Sequence, residues 1–425
     1  MIGLADCNNF FCSCERLFRP DLARRPVVVL SNNDGCIVAR SNEAKALGLK
    51  MGDPYFQVRP LLQQYDVAVF SSNYRLYSDL SDRVMTTLAR FVPRLDIYSI
   101  DEAFLHLSGM GEADSLGDYG HRIVDTVGRA TGIPISLGIA PTRTLAKMAS
   151  RFAKKYPGYK GVCVMDTDDK RRIALSLFDI ADIWGIGRRH EALLRRYGIN
   201  TAADLAARSG DWVRRMLTVT GLRTWKELHG EPCISVDALP HKQSIRTSRS
   251  FPDRGLSRLA DLEEAIANFA ASCAWKLRRQ STVCSLLRVY AMTSRFRTDL
   301  PSNFIHETTR MLVPTNSLSE LVDASVRLLR RAWHRSGEGF MYKKAGVMVE
   351  EISRDNAVQG NLFDTVNRHR AESLMRSIND INNAMGRYVV RTAVQGYSKK
   401  WHLTADNLSP QYTTDIRQVP VFRCV

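Results

Sequence analysis

The chain has 425 residues, 44% of them hydrophobic, and a net charge of +16. That length exceeds what one hydrophobic core usually serves, so several globular domains are expected. Nine cysteines, an odd number in so long a chain, exclude a disulfide scaffold. The opening MIGLADCNNFFCSCE has no basic head and meets Asp6 at once, unlike a signal peptide, and no apolar window is long enough to span a bilayer. A soluble cytoplasmic protein without a membrane partner is expected. The charge is uneven: residues 241–350 hold 18 Lys or Arg against 10 Asp or Glu, a net of +8. Such an excess suits a polyanion, nucleic acid first.

In chain order, Ile2 to Ala5 form a short apolar strand with Asp6 at its end. Cys7, Cys12 and Cys14 follow; no second group at zinc spacing accompanies them, so they read as buried thiols. PVVVLS at 26–31 is a strand and SNNDG at 31–35 a turn. Ser41 opens a helix that stops at Gly48. A strand at 67–72 precedes a helix at 74–91, whose apolar residues recur at helical spacing. Two short strands flank Asp101 and Glu102, followed by helix, a strand at 133–140, a helix at 142–156 and a strand at 160–165. Residues 171–232 read as mostly helical, and 241–253 as a basic tether leading into a strand. Beyond it, helices at 262–280 and 319–334 alternate with strands at 284–292 and 344–352. A helix at 366–384 lies in a polar tail. The order predicts a multidomain α+β chain.

Asp6 and the Asp101–Glu102 pair stand at strand ends. If their strands are neighbours, three carboxylates supply hard oxygen ligands suited to Mg²⁺, and two such ions about 3.5–4 Å apart serve phosphoryl transfer. Spacing alone favours the plainer reading of solvated or capping acids, as for Asp96 and Glu112. A nuclease would use the same acids, and a DNA-binding accessory protein would need them only as structure.

DCNNFFCSCE at 6–15, YSIDEAF at 98–104 and GIAPTRTLAK at 138–147 resemble the Y-family of translesion DNA polymerases. RPVVVLSNNDGCIVARSNEAKALGLKMGDP at 25–54, FSSNYRLYSDLSDRVM at 70–85, DIWGIGRR at 182–189 and KAGVMVEEI at 344–352 narrow the likeness to its UmuC-type branch, the catalytic subunits of bacterial DNA polymerase V and their plasmid-borne relatives.

The resemblance implies a right-hand polymerase: palm at 1–20 and 76–175, fingers at 21–75, a helical thumb at 176–232, a little finger at 242–352 and a tail at 353–425. It implies two Mg²⁺ ions held by Asp6, Asp101, Glu102 and the backbone carbonyl of Cys7. Phe11 matches the steric gate beneath the sugar, with Phe10 packing beside it. Lys45 and Lys154 match triphosphate contacts, and Asn42 stands where the family often has Tyr. Arg40 and Lys147 are secondary candidates, Lys147 equally as a brace for the acids. The 31–38 loop would cover the templating base pair. Gly185 and Gly187 resemble a helix–hairpin–helix turn offering N–H groups to a DNA phosphate, with Arg188 and Arg189 adding charge. Arg246, Arg249, Arg295 and Arg297 are further DNA contacts. Gln359, Leu362 and Phe363 in QGNLF resemble a sliding-clamp peptide, with Gly360 in place of the family's Leu. The implied partners are primer–template DNA, deoxynucleoside triphosphates, the clamp, a cleaved UmuD-type dimer and a RecA filament. The implied activity is error-prone synthesis past lesions during the SOS response.

Overall fold

The computed structural model describes residues 1–110, 113–235, 242–252, 255–297, 299–386, 389–397 and 401–421. Glu112, the ends of the basic tether at His241 and Asp253, and Ser398–Lys400 of the tail lie outside the described residues. The chain forms two compact units, one of residues Met1–Asp237 with Ala405–Val425, the other of Ala238–Thr404.

The first unit begins with β1 (Ile2–Cys7) and α1 (Phe10–Leu17), then β2 (Val27–Leu30), β3 (Ile37–Arg40), α2 (Asn42–Ala46), α3 (Tyr55–Gln64), β4 (Ala68–Ser71) and α4 (Tyr74–Leu88). It continues through β5 (Leu95–Ile97), β6 (Glu102–His106), α5 (Ala113–Thr131), β7 (Ile135–Ala140), α6 (Arg143–Lys155) and β8 (Val162–Val164). Helices α7 (Asp168–Leu177), α8 (Arg188–Arg196), α9 (Ala202–Ala206) and α10 (Gly210–Leu228) follow.

Five strands form the central sheet in the order β5-β6-β1-β7-β8. β1 lies between two antiparallel neighbours, so its backbone is hydrogen-bonded along both edges and its register is set twice. All six residues of β7 are buried. Gly138 explains how closely α6 approaches this sheet: a Cβ there would stand 2.0 Å from the backbone nitrogen of Ser150 and 2.4 Å from the carbonyl of Ala146. Only glycine allows that approach, and it carries the basic face of α6 towards the strand ends.

A second sheet, β3-β2-β4, is small and mixed, with β2 antiparallel to β3 and parallel to β4. Val28, Leu30, Ile37, Ala44, Leu49, Leu62 and Val67 form its own core. The Ser41 side chain caps α2 by accepting from Ala44 N, as the local sequence indicates.

Glu227 on α10, 1% exposed, ties the helical segment to the central sheet's helix α6. Its Oε2 accepts from Thr144 N and Oγ1 at 2.8 and 2.7 Å, and its Oε1 from Ile234 N at 2.9 Å. A buried carboxylate is tolerated when its lone pairs are filled in this way.

The second unit holds β9 (Ser244–Ser250), α11 (Leu259–Arg279), β10 (Thr282–Thr293), β11 (Phe304–Thr315), α12 (Leu318–Ser336), β12 (Tyr342–Arg354) and α13 (Arg368–Met385). The sheet order is β11-β10-β12-β9, with every pairing antiparallel. Leu262, Phe269, Leu277, Leu321, Leu329 and Trp333 of α11 and α12 join inward residues of the strands in one core. The helix–strand–helix–strand reading of this region omits β11. The observed order is β-α-β-β-α-β, because FIHETTRMLVPT forms an edge strand whose exposed face mixes His306, Thr308 and Arg310 with Phe304 and Leu312. The segment read as one tail is divided, with 353–404 in the second unit and 405–421 in the first.

Candidate active site

The central sheet places Asp6 directly across from Glu102 in the β1–β6 register, and Cys7 N donates to the carbonyl of Asp101 at 2.8 Å. The three acids are therefore on adjoining strand ends. Each has its own partner. Asp6 pairs with Lys154. Glu102 receives Lys147 Nζ on both oxygens, at 2.9 and 3.0 Å. Asp101 accepts from Ser99 Oγ at 2.6 Å. Among the described residues no three acidic, His or Cys side chains are drawn into a metal cage.

The electrostatics show that the acids feel one another. Burial pushes the Asp6 carboxyl up to about 6; Lys154 pulls it back, and the charges of Glu102 and Asp101 add to the rise. Removing water from several like charges is unfavourable unless a cation joins them. Three carboxylates with a nearby backbone carbonyl make an all-oxygen donor set, which fits a hard divalent cation. Burial raises the Cys7 thiol far above its ordinary range, so its sulfur is not a ready ligand. Cys12 and Cys14 are buried too.

Lys147 also lies over the rings of Tyr98 and Trp184, 4.6 and 5.4 Å from their centroids. Lys154 links the acids to a second, basic group. Burial lowers the Lys45 ammonium first, and the positive charges of Arg40 and Lys154 lower it further. Lys45 Nζ donates to Asn9 Oδ1 at 2.6 Å and to Asn42 Oδ1 at 3.3 Å, and Asn9 Nδ2 donates to Asn42 Oδ1 at 3.0 Å. Lys45, Asn42, Lys154 and Arg40 thus form one neighbourhood beside Asp6. Clustered cations of this kind bind polyanions.

Phe10 is buried and Phe11 half-buried. Phe11 stacks on Tyr77 with centroids 4.5 Å apart and planes at 15°, and meets Tyr74 edge-on at 6.0 Å. Asp96 belongs to a structural network with His106, Arg94 and Arg143, at 2.8, 2.9 and 2.5 Å.

The other expected residues have their own surroundings. Gly185 has φ +95°, and a Cβ would meet Thr224 Oγ1 at 2.9 Å. Gly187 caps α8, with Arg188 and Arg189 exposed in its first turn. The first N–H groups of a helix have no intrahelical acceptor, so this turn faces solvent as a donor surface. In the second unit Arg246 and Arg295 are exposed. Arg249 stands over Trp401 at 5.3 Å, and Arg297 is forked to Asp299. Gln359 is exposed, as are Leu362 at 95% and Phe363 at 78%. Sequence reasoning did not single out Asn9, Tyr77 or Glu227. Asn9 and Tyr77 sit within quoted motifs, but their partners are distant in sequence.

Residues 5–151 match the impB/mucB/samB family, 242–362 its C-terminal domain, and 372–421 a domain of unknown function, DUF4113. The chain is 41% identical to Protein UmuC of Salmonella typhimurium, over 97% of this chain and 98% of that one. Protein ImpB of Salmonella typhimurium is 39% identical over the full length of both, and Protein MucB of Escherichia coli is 38% identical over 99% of both. Among solved structures, a Y-family DNA polymerase chimera of Dbh and Dpo4 superposes with a TM-score of 0.65 at 19% identity, covering 83% of this chain and all of that one. The chain belongs to the impB/mucB/samB family and is a UmuC-type Y-family DNA polymerase, an enzyme of template-directed DNA synthesis past lesions.

Proposed function

We propose that the chain extends a primer 3′ end opposite damaged bases by two-metal phosphoryl transfer, with Asp6, Asp101, Glu102 and the Cys7 carbonyl holding two Mg²⁺ ions. The observation that carries this reading is the continuity of the site. Asp6 faces Glu102 across the strand register, and Lys154 joins that acid group to Lys45 and Arg40. When bound, Mg²⁺ would supply charge neutralisation at the reacting oxygens. Lys45 and Lys154 bind the triphosphate, Lys154 exchanging Asp6 for it, while Asn42 offers an amide contact. Lys147 braces Glu102. Phe11 lies beneath the sugar and excludes a 2′-hydroxyl, and Phe10 packs behind it. The 31–38 loop covers the templating base.

In this assignment residues 1–20 and 76–175 are the palm, 21–75 the fingers, 176–232 the thumb and 242–352 the little finger. The Gly185–Gly187 turn with Arg188 and Arg189, and Arg246, Arg249, Arg295 and Arg297, contact DNA phosphates, which positions the duplex without reading its sequence. The exposure of Leu362 and Phe363 supports Gln359, Leu362 and Phe363 as the contact to a sliding clamp. A UmuD-type dimer and a RecA filament are further partners of the same reading. The setting is cytoplasmic; no helix among the described residues is long and apolar enough to cross a membrane.

The test is extension of a labelled primer past an abasic site with a single deoxynucleotide, with and without the accessory partners. Addition at the 3′ end is expected. Shortening of the primer would replace synthesis by hydrolysis at the same acids.

A further inference from the structure

The last described stretch of the chain returns to the first unit and is bound there through buried polar groups. Asp406 N and Asn407 Nδ2 donate to Asp34 Oδ2 at 3.0 and 3.4 Å. Ser71 N donates to the Asn407 carbonyl at 2.9 Å, and Asn407 N to Ser71 Oγ at 3.0 Å. Asn73 Nδ2 reaches Ser409 Oγ at 2.9 Å and the carbonyls of Ser409 and Pro410 at 3.1 and 3.3 Å. The same Asn73 caps α4 through Leu76 N. Tyr412 stacks on Phe18, with centroids 4.5 Å apart and planes at 15°. Asn73 is 1% exposed and Ser409 5%.

Two of these contacts lead to the nucleotide pocket. Ser409 Oγ donates to Glu15 Oε1 at 3.1 Å, and Tyr77 Oη donates to the same oxygen at 2.6 Å. Tyr77 is the ring on which Phe11 lies. Glu15 is fully buried, and its second oxygen has no hydrogen bond. Keeping such a group is unfavourable, which is intelligible if its work is to orient Tyr77. Asp34 belongs to the 31–38 loop, where its φ is +46° and its side chain is buried, so the tail's two donors hold a left-handed residue in place.

We propose that residues 406–412 are a positioning element of the nucleotide pocket. Ser409 acts through Glu15 and Tyr77 on Phe11, and Asp406 and Asn407 act through Asp34 on the loop over the templating base. This rests on the reading of Phe11 as the sugar discriminator. The C-terminal segment then sets sugar and base selection without touching the nucleotide.

The test uses the full-length chain in the assembly in which it extends primers. Steady-state constants are measured for a correct deoxynucleotide and its ribonucleotide with Ser409→Ala, Ser409→Thr, Asn407→Ala and Phe11→Ala, alongside amide hydrogen exchange over α1 and residues 31–38. Ser409→Ala is expected to lower the deoxy-to-ribo ratio of kcat/KM about tenfold and to raise exchange in α1. Ser409→Thr, which keeps the hydroxyl, retains the original ratio. Asn407→Ala raises exchange at 31–38 and the frequency of mismatched insertion. If Ser409→Ala leaves the ratio unchanged while Phe11→Ala collapses it, the positioning role is wrong and the reading of Phe11 stands. If Phe11→Ala leaves the ratio unchanged, the reading of Phe11 fails; unaltered exchange in both tail variants overturns the positioning role whatever Phe11 does.

Discussion

The charged groups around the first unit's acids and the arginines expected along DNA in the second unit are organised differently. Around the acids they are half-buried and interlocked: Lys147 fills both oxygens of Glu102 and Lys154 holds Asp6, while the buried Glu227 is saturated by backbone and hydroxyl donors. In the second unit Arg246 and Arg295 stand exposed, and Arg310 and Arg297 form surface forks with Glu351 and Asp299. Exposed pairs contribute little to stability and are screened by salt. Under the proposed function the difference separates two tasks. Chemistry on a phosphate needs each group in one place, whereas holding a duplex needs only a sufficient field, which many interchangeable cations supply.

The largest effect is expected of Asp101→Ala. Primer extension should fall at least about a thousandfold, with the fold unchanged by circular dichroism; activity within tenfold of the parent would show the first unit's acids to be as replaceable as the second unit's arginines. Glu15→Gln comes next. Burial raises the Glu15 carboxyl from 4.5 to about 7, so the folded chain holds its proton more tightly than the unfolded one. The stabilisation from that proton is complete below pH 4.5 and is lost as pH rises through about 7. The amide has no such loss, so urea unfolding should find Glu15→Gln gaining on the parent by up to roughly 3 kcal/mol near pH 8 and not near pH 4. A constant difference across that range would remove Glu15 from the pH dependence.

Lys45→Ala should raise KM for the incoming deoxynucleotide about tenfold or more, the value of a charge-assisted phosphate contact, with a smaller change in kcat. A paired Leu362→Ala, Phe363→Ala variant should lose about tenfold of any stimulation by a sliding clamp and none of the basal rate, because both side chains are already in solvent; Gly360→Leu should strengthen that stimulation. The smallest effect belongs to Arg246→Ala: DNA affinity lowered about two- to threefold and the salt slope reduced by about one. A loss there as large as that of Lys45→Ala would show that the outer arginines are placed as individually as the inner lysines.

Much of the first unit's order was legible because its elements carry a clear period. VVVL at β2 and the apolar face of α4 identify themselves, and Asp6, Asp101 and Glu102 fall at strand ends that local sequence locates. Their convergence was not legible from spacing, since it depends on β1 and β6 being neighbours, and the family motifs supplied that expectation. β11 was missed because its middle, HETTR, is wholly polar and its apolar residues cluster at the two ends, which breaks the alternation a hydrophobic pattern looks for. α3 was missed for a related reason, having Pro60 inside it and one buried residue, Leu62. The return of residues 405–421 left no signal at all. Its contacts are made by single polar residues such as Ser71, Asn73 and Ser409, none of which belongs to a period.

That return also bears on how the molecule is made. Glu15 and Ser409 are 394 positions apart, and Asn73 and Ser409 are 336 apart. Bringing together groups so distant carries a loop-closure cost that grows with the logarithm of the intervening length, and it cannot begin before residues 406–412 have been made and released. α1, the small β3-β2-β4 sheet and α4 are therefore all synthesised long before the segment that joins them. A chain lacking residues 406–412 would carry Asp6, Asp101 and Glu102 and still lack these contacts, so under the positioning role proposed above the translation of this segment is a maturation step for the pocket.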